Sequence, residues 1–352
     1  MKAFAAATSF PGKAFLRLCP LFRGCADCPD RPPSLRQRLR GLPEPGFPVD
    51  VVYTWVDGRD PVWLAKRSSR GLGAEDANHY RDNGELRYSL RSLERFAPWV
   101  RRVHIVTDGQ IPSWLNAGHE KLRLVAHRDI IPARFLPTFS SRVIEAHLHR
   151  IEGLAEHYVY FNDDFFLISP CFPGDFFTAN GLPFLFADWR ESRRAGYARE
   201  DTPHAASWAA ARDFLAANGV APAPEVIAAH APYPQSRSNA AGAYAFFEDA
   251  VNTFQPARAP GDIAFYCHGI PLWAYARRAT VPCDVAWYYI NAKRLDRRLC
   301  YAAISREKSL GTLPLFLCLN DVGEAPSGNA WHADMQTFLS GFYPDKSAFE
   351  RS

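Results

Sequence analysis

Tyr158-Val159-Tyr160-Phe161-Asn162-Asp163-Asp164 is the stretch on which the fold turns. An aromatic and β-branched run that breaks into an amide and two carboxylates reads as a buried strand, Tyr158 to Phe161, ending in a polar turn. The same pattern recurs outward from it. Val49 to Val56 stops at Asp57-Gly58, Val103 to Thr107 stops at Asp108-Gly109, and Leu122 to Ala126 is a further short apolar run. Between these lie helical periods: one N-capped by Asn83, with Leu86, Leu90 and Leu93 on one face and Arg87, Arg91 and Arg95 on another, and one from Ser141 to Arg150. Strands alternating with helices predict an α/β fold with a mainly parallel central sheet flanked by helices. Such sheets bind ligands beyond the carboxyl ends of their strands, and three of these ends carry aspartate.

Asn162-Asp163-Asp164 offers hard oxygen donors where a strand leaves the core, which suits Mg2+ or Mn2+ bridging a diphosphate. An Asx turn accounts for the same residues without any ligand. Three other segments supply what phosphoryl transfer needs. His230-Ala231-Pro232-Tyr233, followed by Arg237, holds an imidazole at a proline turn; Asn320-Asp321 closes the apolar run Leu313 to Leu319; Arg258 and Asp262 flank a Pro-Gly turn. His147 and His149 are two apart on a predicted helix and cannot share a face, so they do not form a joint metal site. No Walker loop, dinucleotide loop or Gly-x-Ser-x-Gly elbow is present.

The 352 residues are 47% apolar and 14% aromatic, enough for a substantial core. A formal charge of +4 is too weak to predict nucleic acid as a partner. The eight cysteines are dispersed and read as reduced thiols; Cys25-x-x-Cys28, with Cys19 nearby, lacks the second pair of a zinc knuckle. Residues 1–46, rich in Pro, Gly and Arg, read as an extension and linker, and 187–229, rich in Ala and Arg, as a helical insertion. With no apolar run of about 20 residues and no signal-peptide core, the expected location is cytoplasmic. Arg31, Arg36, Arg38 and Arg40 suit either solvent or anionic lipid, leaving peripheral attachment at the inner face of the cell membrane open. Oligomeric state is not legible.

Four blocks resemble the Stealth family of sugar-1-phosphate transferases, which includes capsular polysaccharide phosphotransferases and the lysosomal-enzyme N-acetylglucosamine-1-phosphotransferase. They are Val49 to Gly58; the long block from Arg81-Asp82-Asn83-Gly84-Glu85-Leu86 through Leu136-Pro137-Thr138-Phe139-Ser140-Ser141 to Asp164; His230-Ala231-Pro232 with Arg258; and Cys318-Leu319-Asn320-Asp321. The third departs from the family pattern, since Pro256 stands where a basic residue is usual, and in the fourth Val322 replaces a polar one. The resemblance implies a GT-A-like core over 47–325, with 326–352 an uncovered tail. It implies transfer of a hexose-1-phosphate, for instance an N-acetylhexosamine-1-phosphate, from a nucleotide-sugar donor to a hydroxyl of a glycan acceptor. Carried over by position, Asp163, Asp164 and Asp321 become metal ligands. Asp164, His230, Arg258 and Asp321 become catalytic. Asp57 and Asn83 shape the donor site, with Arg87 and Arg91 as phosphate candidates, joined from the local reading by Asn162, Arg237 and Asn320. The alternatives are a metal-dependent nucleotide-sugar glycosyltransferase, making a glycosidic bond with the same seat, and a binding protein without turnover.

Overall fold

The computed structural model describes residues 44–73, 80–188, 192, 202–221, 226–259, 261–321 and 329–351. Cys19, Cys25, Cys28, the arginines at 31, 36, 38 and 40, and Val322 lie outside them, as does part of 187–229.

Strand β1 (Val49–Thr54) is followed by helices α1 (Pro61–Ser68) and α2 (Glu85–Phe96), then by β2 (Val103–Thr107) and β3 (Leu122–Ala126). Helix α3 (Ser141–His147) leads to β4 (His157–Asn162), which turns at Asp163 and Asp164 into β5 (Phe165–Leu167). After β6 (Phe184–Phe186) and α4 (Pro203–Ala217) come β7 (Tyr233–Ser236), α5 (Arg237–Phe246), α6 (Ile270–Ala276), β8 (Val281–Cys283) and β9 (Trp287–Asn291). Helix α7 (Arg297–Leu310), β10 (Phe316–Asn320) and α8 (Asn329–Phe342) complete the order. The predicted strands are observed within two or three residues at their ends. Asn83 is not the helix cap: Gly84, left-handed at φ 85°, holds the N-cap position before Glu85, and the Asn83 side chain bonds Glu85 and Asp321 instead.

The central sheet has the order β3-β2-β1-β4-β7, parallel except for β7. Its inner strands are buried on both faces, which is why they read as continuous apolar runs. The one buried charge there, Asp50, accepts from Arg101 at 2.6 and 2.8 Å, from the Ala155 amide at 2.8 Å, and pairs with His104 at 3.1 Å. Burial alone would raise the Asp50 carboxyl; these bonds outweigh it and hold it at about 2.

From β1 the chain moves one way to β2 and β3, then returns to place β4 on β1's other side, with Thr54 opposite Asn162. That reversal opens a crevice at the carboxyl ends of β1 and β4. A second sheet, β5-β10-β9, starts from the Asp163–Asp164 turn: β10 pairs antiparallel with β5, and the Leu319 amide donates to the Asp164 carbonyl at 3.1 Å. Asn320 is thereby delivered to the same crevice.

Two stretches differ from expectation. Residues 329–351 are no loose tail; Trp331, Met335, Leu339 and Tyr343 join Tyr88, Phe166 and Ile290 in a second core. Within 187–229, α4 is helical as predicted, but it buries Ala205, Trp208, Ala211 and Leu215 in the main core. His147 and His149 flank Tyr244, and burial pushes both imidazoles down to about 4. Cys171, Cys267, Cys283, Cys300 and Cys318 are free thiols. No helix among the described residues is long and apolar enough to cross a membrane.

Candidate active site

The carboxyl-edge crevice collects side chains from distant parts of the chain. Asp164 Oδ2 accepts from Asn320 Nδ2 at 3.1 Å and from the Cys318 thiol at 3.5 Å. His230 Nε2 is 3.5 Å from Asn320 Nδ2, and its ring stands edge-on to Phe165 and Tyr289. The Tyr289 hydroxyl donates to Asn320 Oδ1 at 3.2 Å, which turns the amide nitrogen toward Asp164 and His230. Asp321 Oδ2 accepts from Arg81 at 3.0 Å and Asn83 Nδ2 at 3.1 Å. Asn83 in turn bonds both oxygens of Glu85, at 2.7 and 2.8 Å, and its carbonyl accepts from Gln336.

Two features suit the crevice to a cation. Asp164 Oδ1 and Asp321 Oδ1 are buried with no hydrogen-bond partner among the described residues, a costly arrangement unless something else fills the gap. Ligand atoms of Asp164, His230 and Cys318 also lie within 4.8 Å of one another. Burial, and then Asp164, drive the Cys318 thiol well above its usual range, so it stays protonated and donates to the carboxylate. What remains for a cation is carboxylate oxygen, with the His230 imidazole beside it, and oxygen donors fit Mg2+ or Mn2+ better than a thiolate-seeking ion.

The charges are strained in the same sense. Burial, then Glu85, Asp164 and Asp82, push Asp163 well above the ordinary carboxylate range. Burial raises Asp164 to about 6 despite the bonds from Asn320 and Cys318, and raises Glu85 to about 8 despite Asn83. Carboxyls whose folded pKa exceeds the unfolded value stabilise the fold when protonated, and that contribution is lost as pH rises through the folded pKa. From about pH 7.5 to 8.5 the histidines held near 4 are neutral in the folded chain and, with an ordinary pKa of about 6.5, already mostly neutral in the unfolded one, so the acidic cluster dominates. The melting temperature in EDTA is expected to fall across this window, and millimolar Mn2+ to abolish the fall; a flat profile in EDTA would contradict the raised carboxyl pKa values of this cluster.

Not every predicted residue arrives. Arg91 forms a two-pronged pair with Glu350 at 2.7 and 2.8 Å and donates to the Tyr343 carbonyl; Arg87 lies 3.7 Å from Glu350 and over the Trp114 ring. Both are therefore corrected from phosphate ligands to clamps on the C-terminal segment, a contact invisible to helix periodicity. Arg237 is exposed at the start of α5 beside Glu156, at the amino edge of the sheet, because β7 runs antiparallel and carries it away from the crevice. Asp57 and Asn162 do lie at the carboxyl ends of β1 and β4. Gly58 is required beside Asp57, since any Cβ there would collide with the Tyr80 carbonyl.

Arg258 donates to Ser141 at 2.6 Å and interacts electrostatically with Glu145 and Asp262. This group connects to His230 through the rings of Tyr233 and Phe165, and Tyr233 also feels Glu145. Arg81, Glu85, Cys318, Tyr289 and Glu145 are site neighbours that residue pattern alone does not single out. Arg81, Glu85 and Cys318 fall inside the resembling blocks; Tyr289 and Glu145 carried no local signal.

A mostly parallel α/β sheet with a carboxylate-lined crevice at its switch point is a site of the ligand-binding α/β class. Comparison with known proteins identifies the kind: residues 47–73 match Stealth protein CR1, conserved region 1, and 79–185 match Stealth protein CR2, conserved region 2. The chain belongs to the Stealth family of phosphotransferases. It is 31% identical over 307 residues to a capsular polysaccharide phosphotransferase of Haemophilus influenzae, covering 84% of each chain. An exopolysaccharide phosphotransferase of Streptomyces coelicolor is 39% identical over 316 residues, 87% of this chain; the chain spans about half (53%) of that relative's length. The capsular polysaccharide phosphotransferase of Neisseria meningitidis serogroup B is 30% identical over 85% of this chain and 83% of its own length. Among solved structures, the galactosyltransferase LgtC with donor and acceptor sugar analogs covers 85% of this chain and 98% of its own, at 14% identity and TM-score 0.40.

Proposed function

We propose that this chain transfers a hexose-1-phosphate, such as an N-acetylhexosamine-1-phosphate, from a nucleotide-sugar to a hydroxyl of a capsular or exopolysaccharide acceptor. The product is a phosphodiester and the leaving group a nucleoside monophosphate. The observation that carries the reading is the meeting of Asp164, Asp321, Asn320 and His230 in one crevice, with one oxygen of each carboxylate buried and unpartnered among the described residues. Asp164 and Asp321, with Asp163 beside them, would hold Mg2+ or Mn2+, which supplies charge neutralisation at the diphosphate. His230 is held by Phe165 and Tyr289 as the proton acceptor for the attacking hydroxyl. Arg258 offsets negative charge developing on the phosphoryl oxygens, and Asp57, Asn83, Asn162 and Asn320 position the donor. A cell-surface glycan acceptor also calls for a peripheral station at the cytoplasmic face of the membrane.

The test is the nucleotide that leaves. Purified chain with Mn2+, a panel of nucleotide-sugars and de-phosphorylated capsule fragments is expected to release a nucleoside monophosphate and to give a diester resonance by phosphorus NMR. Release of a nucleoside diphosphate with a glycosidic product would replace this reading by glycosyl transfer.

A further inference from the structure

Strand β9 ends at Asn291, in register with Asn320, and the Ala292 amide donates to the Asn320 carbonyl at 3.0 Å. The segment that follows, Lys293 through α7 to Leu310, therefore leaves from the rim of the carboxylate seat. Its inner side is well anchored. Arg297 and Asp334 pair at 2.9 Å, both nearly buried; Cys300, Tyr301 and Ile304 enter the second core; and Glu307 is buried, accepting from the Tyr288 hydroxyl.

The outer side is unusual for a water-facing surface. Leu295 is 83% exposed, Leu299 68% and Leu310 57%. The remaining exposed positions of the segment are Lys293, Arg298, Ala302, Ser305, Arg306 and Ser309. No carboxylate is exposed among them: Asp296 is half-buried and held by Arg294 at 2.9 Å, and Glu307 faces inward. Arg298 shares Asp334 with Arg297 and is still 77% exposed, so two cations on one anion leave positive charge outside. Leu299, Ala302 and Arg306 recur at helical spacing on one face of α7, and Leu295 lies in the turn that precedes it. Leucines among cations, with no exposed anion, complement an apolar layer lying beneath a layer of negative charge.

We propose that the outward face of Lys293–Leu310 is a membrane-contact surface that seats the chain on an anionic bilayer. Leu295 and Leu299 enter the interfacial layer, and Lys293 and Arg298 meet the headgroup phosphates. The anchoring of Arg297 on Asp334 presents these side chains on a rigid support, and the position beside Asn320 turns the carboxylate seat toward the membrane surface. Its use there rests on the proposed cell-surface acceptor; the binding itself needs no donor, metal or turnover, so the two can fail separately.

Full-length chain is mixed with extruded vesicles of phosphatidylglycerol and phosphatidylcholine, or of phosphatidylcholine alone, and sedimented. Binding to the anionic vesicles only, weakened by raising salt from about 0.1 to 0.5 M, is expected. Leu295→Asp with Leu299→Asp, at an unchanged melting temperature, is expected to bind at least about tenfold more weakly. If that pair does not fold, Lys293→Gln with Arg298→Gln is expected to remove most of the salt-sensitive binding. Wild-type chain left in the supernatant, equal binding to neutral vesicles, or folded variants that bind like wild type would each overturn the proposal.

Discussion

Asp164→Asn is expected to lower turnover by about a thousandfold or more while leaving the chain folded and, without metal above pH 7, at least as stable as the parent. The signs differ because the same carboxylate serves two ends. Burial holds Asp164 at about 6, so its ionised form is a liability to the metal-free fold at neutral pH; an amide of the same shape removes that cost. Losing a ligand to the charge at a phosphoryl centre forfeits stabilisation that exists only in the transition state, typically several kcal/mol. Two measurements separate the effects. The melting temperature in EDTA at pH 8 is to hold or rise, and the upward shift produced by Mn2+ is to disappear. Asp321→Asn is expected to behave alike toward Mn2+ but to cost some stability, because Arg81 and Asn83 both donate to its Oδ2. Near-parental turnover in Asp164→Asn would remove this residue from the site.

Glu350→Ala is expected to destabilise the chain by about 3–5 kcal/mol, the scale for deleting one partner of a buried ion pair. The Glu350 side chain is 4% exposed and the Arg91 side chain 11%, and Arg87 leans on the same carboxylate. Removing it strands two cations on α2 and frees the loop at Ser347, whose amide also bonds Glu350. Arg91→Ala is expected to fall in the same range through the same pair and the lost bond to Tyr343. Replacing both residues by leucine is to cost less than either alanine change, since the buried pair is removed together and only Arg87, 37% exposed, loses its carboxylate. Chemical denaturation gives these energies. At temperatures where Arg91→Ala stays folded, its donor KM is to match the parent within about twofold; a large KM increase would return Arg91 to the phosphate site.

Much of the site was legible because strand ends are punctuated locally. The runs before Asp57, Asp108 and Asp163 have apolar, β-branched composition that only a doubly covered sheet explains, and the switch from apolar to acidic marks the edge where ligands bind. His230 and Asn320-Asp321 could be named as candidates for similar local reasons. Their meeting could not. It depends on the β4–β5 turn handing the chain to a second sheet and on β10 pairing beside it, contacts separated by 156 residues between Asp164 and Asn320.

Local pattern likewise misplaced what tertiary contacts govern. Arg87 and Arg91 face the right way on an amphipathic helix, but Glu350 returns from the far end of the chain to claim them. Arg237 follows a site histidine in sequence, yet β7 runs antiparallel to β4 and takes it to the opposite edge. By itself, then, the amino-acid sequence determined the alternation of strands and helices and the aspartate pair at the end of β4, because periodicity and turn chemistry are short-range. The tertiary structure alone decided which distant donors complete that pair and how far burial lifts its charge, because pairing partners and desolvation are long-range properties of the packed chain.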